Sequence, residues 1–210
     1  MTPFGGLAEI DLLPGETIII APATGRSGGG AIAVALALGA TVVACGRNET
    51  TLSTIRKTFD HTGRIETVTL TGNVETDTAA MISASHNGGK GADAFLDFSP
   101  AAAAKSTHIA SGMAALRPFG RACFMGGIYG NVEINYIQLM LKSLRIQGRL
   151  MYSRSTVVRM IKMVEKGNLK LGDEASGMRT MGNFGLDRIY EAIELSARER
   201  GWGKQVLLRP

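Results

Sequence analysis

Thr17-Ile18-Ile19-Ile20-Ala21-Pro22-Ala23-Thr24-Gly25-Arg26-Ser27-Gly28 decides the fold of this chain. The run from Thr17 to Ala21 is almost wholly apolar, as a strand covered on both faces requires. From Gly28 to Leu38 the residues are small and aliphatic and predict a helix. The turn between them reads Ala-x-Gly-x-x-Gly, with Ala23 where a dinucleotide-binding pattern carries its first glycine. Gly25 suits a tight bend that brings the main chain close to a pyrophosphate, and Gly28 suits close packing of the helix on the sheet. The unpaired N–H groups of the first helical turn would face phosphates, aided by the positive end of the helix dipole. Thr24, Arg26 and Ser27 complete this candidate site, Arg26 with a charge and Ser27 with a hydroxyl. Taken alone, the segment also fits a glycine-rich strand–helix turn that binds nothing.

The next strand, Thr41 to Cys45, narrows the choice. It ends at Gly46-Arg47-Asn48, and Gly46 lies 18 residues past Gly28, close to the spacing of about 20 at which an acidic residue reads the adenosine ribose. No carboxylate stands there to repel a 2′-phosphate. The Arg47 guanidinium can bind one through two parallel N–H bonds, and Asn48 can donate another. NADP(H) is therefore expected over NAD(H). Asn48 also suits the N-cap of the following helix, and both roles can coexist.

Outward from this unit, strand and helix patterns alternate to the end. Further strands are predicted over Glu66–Leu70, Ala94–Phe98, Arg121–Met125, Leu144–Arg149 and Gln205–Leu208. Helices are predicted over Glu49–Phe59, Thr76–Ala84, Ala101–Leu116, Asn135–Leu141, Thr156–Glu165 and Leu186–Ala197. Continuous apolar strands joined by helical crossovers predict an α/β doubly wound parallel sheet of about six or seven strands, with helices on both faces. Residues 167–183 carry Gly167, Gly172, Gly177 and Gly182 and read as a long, exposed connection.

At 210 residues, with 45% hydrophobic and 6% aromatic content, the chain is one domain with an aliphatic core. Cys45 and Cys123 both fall in apolar strands and read as buried core residues, which fits a reducing, cytoplasmic setting. No apolar run reaches the roughly 18 residues of a membrane span, and the N-terminus lacks the basic region of a signal peptide. The net charge of +5 is concentrated in residues 117–170, which carry ten Lys/Arg against Glu133 and Glu165. Those basic residues lack interleaved aromatics, so a solvated or subunit-facing surface is favoured over nucleic acid. The cysteines and His61, His86 and His108 share no ligand spacing, and no zinc is expected. The three histidines read as surface or capping residues. Tyr129 and Tyr152, each after a strand, are candidate proton donors to a nicotinamide or else rim residues.

These features together resemble the coenzyme-binding domain of the medium-chain dehydrogenase/reductase superfamily, the zinc-type alcohol dehydrogenase and quinone oxidoreductase-like proteins. The residues that carry the resemblance are Leu13-Pro14-Gly15-Glu16-Thr17, Ala23-Thr24-Gly25 through Leu38-Gly39-Ala40, Gly91 to Asp97, Gly120 to Gly127, and Gly203 to Leu208. The resemblance implies a Rossmann fold and a hydride transfer between nicotinamide and a carbonyl or enone. It also places Ser99 and Gly126-Gly127-Ile128 beside the nicotinamide, and Lys204 near the pyrophosphate. Leu144 to Met151 resembles an edge strand that pairs across a dimer axis, so a homodimer or other self-association is expected. In relatives a catalytic domain precedes this region. Residues 1–16 are accordingly expected to be the remnant of an interdomain linker helix, and 17–210 the NADP-binding domain. An apolar surface is expected near residues 1–12 and 126–152. With that domain absent, an NADP(H)-binding or interaction module, or a repurposed non-redox biosynthetic enzyme, stands as the alternative.

Overall fold

A computed structural model describes residues 1–172 and 176–210. Six parallel strands form the main sheet: β1 (Thr17–Ala21), β2 (Thr41–Gly46), β3 (Ile65–Thr69), β4 (Ala92–Asp97), β5 (Leu116–Phe124) and β6 (Arg145–Gly148). Their order is β3-β2-β1-β4-β5-β6. The chain runs outward from β1 to β3, then returns to lay β4 on the other side of β1. This reversal makes the carboxyl ends of β1 and β4 a topological switch point, the place where doubly wound sheets bind ligands. Ala21 pairs there with Asp97, and Asp97 in turn with Phe124.

Helices α1 (Thr2–Glu9), α2 (Arg26–Ala37), α3 (Glu49–Phe59), α4 (Val74–Ala84), α5 (His108–Ala114), α6 (Tyr136–Leu141) and α7 (Arg154–Glu165) cover the sheet. Strand side chains alternate between its two faces. Ile18, Ile20, Val42, Ala44, Ala94 and Leu96 pack under α1, α2 and α3, while Ile19, Val43, Cys45 and Phe95 join Met81, Ile109 and Met113 of α4 and α5. Both faces of β1, β2 and β4 are thus buried, which explains their continuous apolar sequence. None of the helices is long and apolar enough to cross a membrane, among the described residues.

Asparagine and serine start several helices by the rules of local chemistry. Asn48 accepts the Thr51 N–H at 2.8 Å, Asn73 the Thr76 N–H at 2.9 Å, and Ser153 the Thr156 N–H at 3.2 Å. Helix α2 begins differently, with Gly25 at its N-cap and no side-chain cap.

Three regions depart from the sequence expectations. Residues 1–12 do not form an exposed apolar patch, since Phe4 and Leu7 are fully buried and Arg159 lies 5.7 Å over the Phe4 ring. Helix α1 is therefore part of the core. Ala101–Leu116 is not one helix. A short 3-10 turn over Ala101–Ala103 gives way to α5, because Ser106 and Thr107 turn their hydroxyls to His108 and to the Gly72 carbonyl. Finally, Arg179–Gly185 forms a strand, β7, that begins inside the stretch 167–183 read as an exposed connection and runs two residues past it. Residues 173–175 of that stretch lie outside the described residues. With α8 (Ile189–Arg198) and β8 (Lys204–Arg209), β7 makes a second, two-stranded parallel sheet, so the last strand does not extend the main one.

Candidate functional site

The β1–α2 turn and the end of β2 form one surface. The Ala23 N–H donates to the Cys45 carbonyl at 2.7 Å, locking the turn to β2. A β-carbon on Gly46 would come within 2.7 Å of Thr24 Cγ2, so glycine there is what admits the threonine. Gly28 is required for packing: its β-carbon would strike the Pro22 carbonyl oxygen and sit 2.7 Å from Ala23 Cα. Gly25, by contrast, faces open space at φ −95°, ψ 173°. That conformation suits any residue, so the bend does not demand glycine, and the open space in front of it is the feature consistent with a ligand's approach. The first-turn N–H groups of α2 have no intrahelical acceptors and no capping side chain.

Arg47 follows directly. Its side chain is exposed and makes no hydrogen bond or ion pair among the described residues. Asn48 spends its oxygen on the α3 cap and keeps its NH₂ group free to donate. Ser27 is exposed on the first turn of α2.

Two sequence candidates are committed elsewhere. Arg26 clamps the end of α8. One guanidinium nitrogen donates to Ser196 Oγ at 3.0 Å, and the other to the Ser196 and Glu199 carbonyls at 2.9 Å each. Three residues later the Trp202 N–H binds the Thr24 carbonyl at 3.0 Å, with its indole laid against Gly29. Lys204 starts β8 and donates to Glu199 at 2.7 Å, which pulls the Glu199 carboxyl below its usual range.

The strand ends beside the switch point are more ordered than expected. The Ser99 side chain does not face outward. It is buried, bonded to Asp97 Oδ1 and lying 2.7 Å from Nε2 of His108. His108 Nε2 also lies 3.1 Å from Asp97 Oδ1, and Nδ1 lies 2.7 Å from Ser106 Oγ. His108 is thus neither a surface residue nor a cap, and the only outward signal in the sequence was a polar Asp97-x-Ser99 pair ending an apolar strand. Gly126 abuts this group, for a β-carbon there would stand 2.5 Å from Asp97 Oδ2 and 2.8 Å from Ser99 N. Gly127 faces open space while its N–H donates to the Ser99 carbonyl at 2.7 Å. Ile128 packs on the α4–α5 side of the core. Tyr129 is almost fully exposed, and Tyr152 lies against Gly5 of α1.

Both thiols are held protonated by burial: Cys45 is raised strongly, and Cys123 is pushed up to about 12. They point to opposite faces of the sheet. Among the described residues no group of three His, Cys, Asp or Glu side chains stands together as a metal site. An open groove of about 530 Å³ between Arg26 and the α8–β8 unit, lined in part by Ile193, Arg200 and Leu208, lies apart from the strand-end residues.

A doubly wound sheet with an uncapped, glycine-started helix at its switch point defines a dinucleotide-binding domain. The profile of the zinc-binding dehydrogenase family matches residues 28–166. The chain belongs to that family, whose members are nicotinamide-cofactor dehydrogenases. No curated protein sequence is a significant match to it. Among solved structures it is similar to the alcohol dehydrogenase TADH from Thermus sp. ATN1, at 21% identity and a TM-score of 0.75, covering 99% of this chain and 55% of that one. The 2R,3R-butanediol dehydrogenase from Bacillus subtilis matches at 15% identity and a TM-score of 0.70, covering 100% and 55%. An NAD-dependent alcohol dehydrogenase matches at 22% and 0.66, covering 98% and 55%. The chain spans about half the length of these relatives, and likeness at this level of identity establishes the fold.

Proposed function

We propose that the chain is the coenzyme-binding part of an NADP(H)-dependent oxidoreductase of alcohol dehydrogenase or quinone reductase type. The observation that carries the reading is the end of β2. Gly46 sits against Thr24 of the glycine turn, and Arg47 then stands exposed and unpaired among the described residues. The turn fits a dinucleotide, since uncapped N–H groups and the open space before Gly25 and Gly127 leave room for one. When bound, the nicotinamide supplies hydride chemistry toward a carbonyl or enone. The chain's own part is to bind the pyrophosphate at the start of α2, to hold a 2′-phosphate at Arg47 and Asn48, and to form the floor at Gly126–Ile128. Arg26 bonds the end of α8 and Lys204 pairs with Glu199, so the main phosphate contacts fall to the α2 start and to Arg47.

Titration with NADPH and NADH, followed by nicotinamide fluorescence, tests this. Arg47→Ala should weaken NADPH by about tenfold or more, the value of one charge-assisted phosphate contact, and leave NADH unchanged. Equal affinity for the two coenzymes, or an unaltered Arg47→Ala variant, would sink the NADP reading. A second reading, a coenzyme-binding module without turnover, is favoured by the burial of Ser99 and His108, which closes both off from a substrate. NADPH oxidation against enones, quinones and aldehydes separates the two. Exposed Tyr136, Met140, Leu141 and Leu150 around the edge strand β6 support self-association, and a monomer in sedimentation would contradict it. The two buried thiols suit a reducing, cytoplasmic setting.

A further inference from the structure

Asp97, Ser99, Ser106 and His108 make a polar cluster closed inside an aliphatic domain; in the coenzyme reading Ser99 has a place beside the nicotinamide and the other three have no role. Their hydrogen bonding is determined by elimination. A carboxylate can only accept, so the contact between His108 Nε2 and Asp97 Oδ1 at 3.1 Å places a proton on Nε2. Ser99 Oγ gives its own proton to Asp97 and shares the single Nε2 proton with that carboxylate, lying the nearer of the two acceptors at 2.7 Å. The Ser99 N–H donates to the same carboxylate oxygen at 3.2 Å. Ser106 Oγ, 2.7 Å from Nδ1, fixes the ring from its other side. Every bond of the cluster ends on Ser99 or on a group that holds Ser99. The Ser99 carbonyl, in turn, is what receives the Gly127 N–H at 2.7 Å, and Gly126 lies directly against Asp97 and Ser99.

We propose that His108 is a positioning residue for the nicotinamide half of the coenzyme site, acting through Ser99 on the Gly126–Gly127 segment. The imidazole cannot touch a ligand, because it is 3% exposed and enclosed. It sets where the β4 end stands, and the β4 end sets where Gly127 and Ile128 stand. The adenosine half of the site, at Thr24, Gly46 and Arg47, shares no contact with the cluster. Loss of His108 should therefore be felt at one end of the dinucleotide only. This inference rests on the coenzyme reading above.

The test compares His108→Leu, which removes the Nε2–H, with His108→Gln, whose amide can replace it, and with Ser99→Ala. Affinities for NADPH and for 2′,5′-ADP, which carries only the adenosine half, are measured for each. Amide exchange is followed at Gly127 and, as a reference, at Ile19 in the core of β1. Expected is a loss of about tenfold in NADPH affinity for His108→Leu, the effect of leaving buried polar groups unpaired. Binding of 2′,5′-ADP should be unchanged and His108→Gln should restore NADPH. Gly127 should lose exchange protection in His108→Leu and Ser99→Ala while Ile19 keeps it. Equal losses for both ligands, or equal loss of protection at Gly127 and Ile19, would reduce His108 to general stability and overturn the proposal. If His108→Leu does not fold, Ser99→Ala and His108→Gln carry the same comparison. A wild-type chain that binds neither nucleotide refutes the coenzyme reading and this inference together. Wild-type binding with unaltered variants refutes this inference alone.

Discussion

Replacing Arg26 by alanine separates two roles that one side chain at a helix start can play. The guanidinium makes three hydrogen bonds at 2.9–3.0 Å, two of them to backbone carbonyls, one within and one just past the end of α8. Each is charge-assisted but solvent-exposed, so about 0.5 kcal/mol apiece is the appropriate scale, with a similar amount from the cation at a helix carboxyl end. The sum is about 1–2 kcal/mol, and it acts on the β7–α8–β8 unit rather than on the main sheet. Trp202 is the one tryptophan of the chain and sits on Gly29 at the junction, so its emission reports that docking. Under urea, Arg26→Ala should move the tryptophan transition about 0.5–1 M lower, given slopes of about 1–3 kcal/mol/M, while the far-UV transition of the sheet holds. NADPH affinity should change far less than for Arg47→Ala. An unmoved tryptophan transition would refute the clamp. A loss of NADPH affinity equal to that of Arg47→Ala would make Arg26 a phosphate ligand after all.

Two further outcomes follow from packing and from titration. Gly28→Ala drives a β-carbon into backbone at Pro22 and Ala23 that has no rotamer through which to escape. It should cost about 1–3 kcal/mol or more, lowering the melting temperature by about 2–4 °C per kcal/mol, read by circular dichroism; an unchanged melting temperature would show α2 standing off the sheet. The buried thiols have folded pKa values raised above 9.0 by burial, Cys123 to about 12. Their stabilisation is fully present below pH 9 and falls as pH rises between 9 and 12, because the unfolded chain releases its thiol protons first. The slope is at most about 1.4 kcal/mol per pH unit for each thiol. Cys123→Ala should flatten the alkaline decline seen in urea titrations at successive pH values, and an identical slope would contradict burial of that thiol.

Much of the fold could be read directly because its causes are local. Ile18–Ile20, Val42–Val43 and Phe95–Leu96 are apolar on both strand faces, a pattern that only a doubly covered sheet requires. Asn48 announces a helix start through a bond to the residue three positions on, whereas the Asn73 cap went unread and the helix it starts was placed from Thr76 instead of Val74. The same local logic misled where glycines cluster. Gly182 lies against Phe184 and Leu195 inside a strand, yet with Gly172 and Gly177 it read as an open connection.

By itself, then, the sequence determined the parallel sheet, the glycine turn at its switch point, and the arginine at the end of β2. These follow from periodicity and from backbone needs spanning a few residues. Tertiary structure alone decided which polar groups are free to meet a ligand. Arg26 is spent on carbonyls about 170 residues away, Ser99 is turned inward by a histidine on the next helix, and α1 is drawn into the core by Phe4 and Leu7. A charged or polar side chain takes whichever partner packing brings within about 3 Å, and which partner that is depends on how the elements pack together.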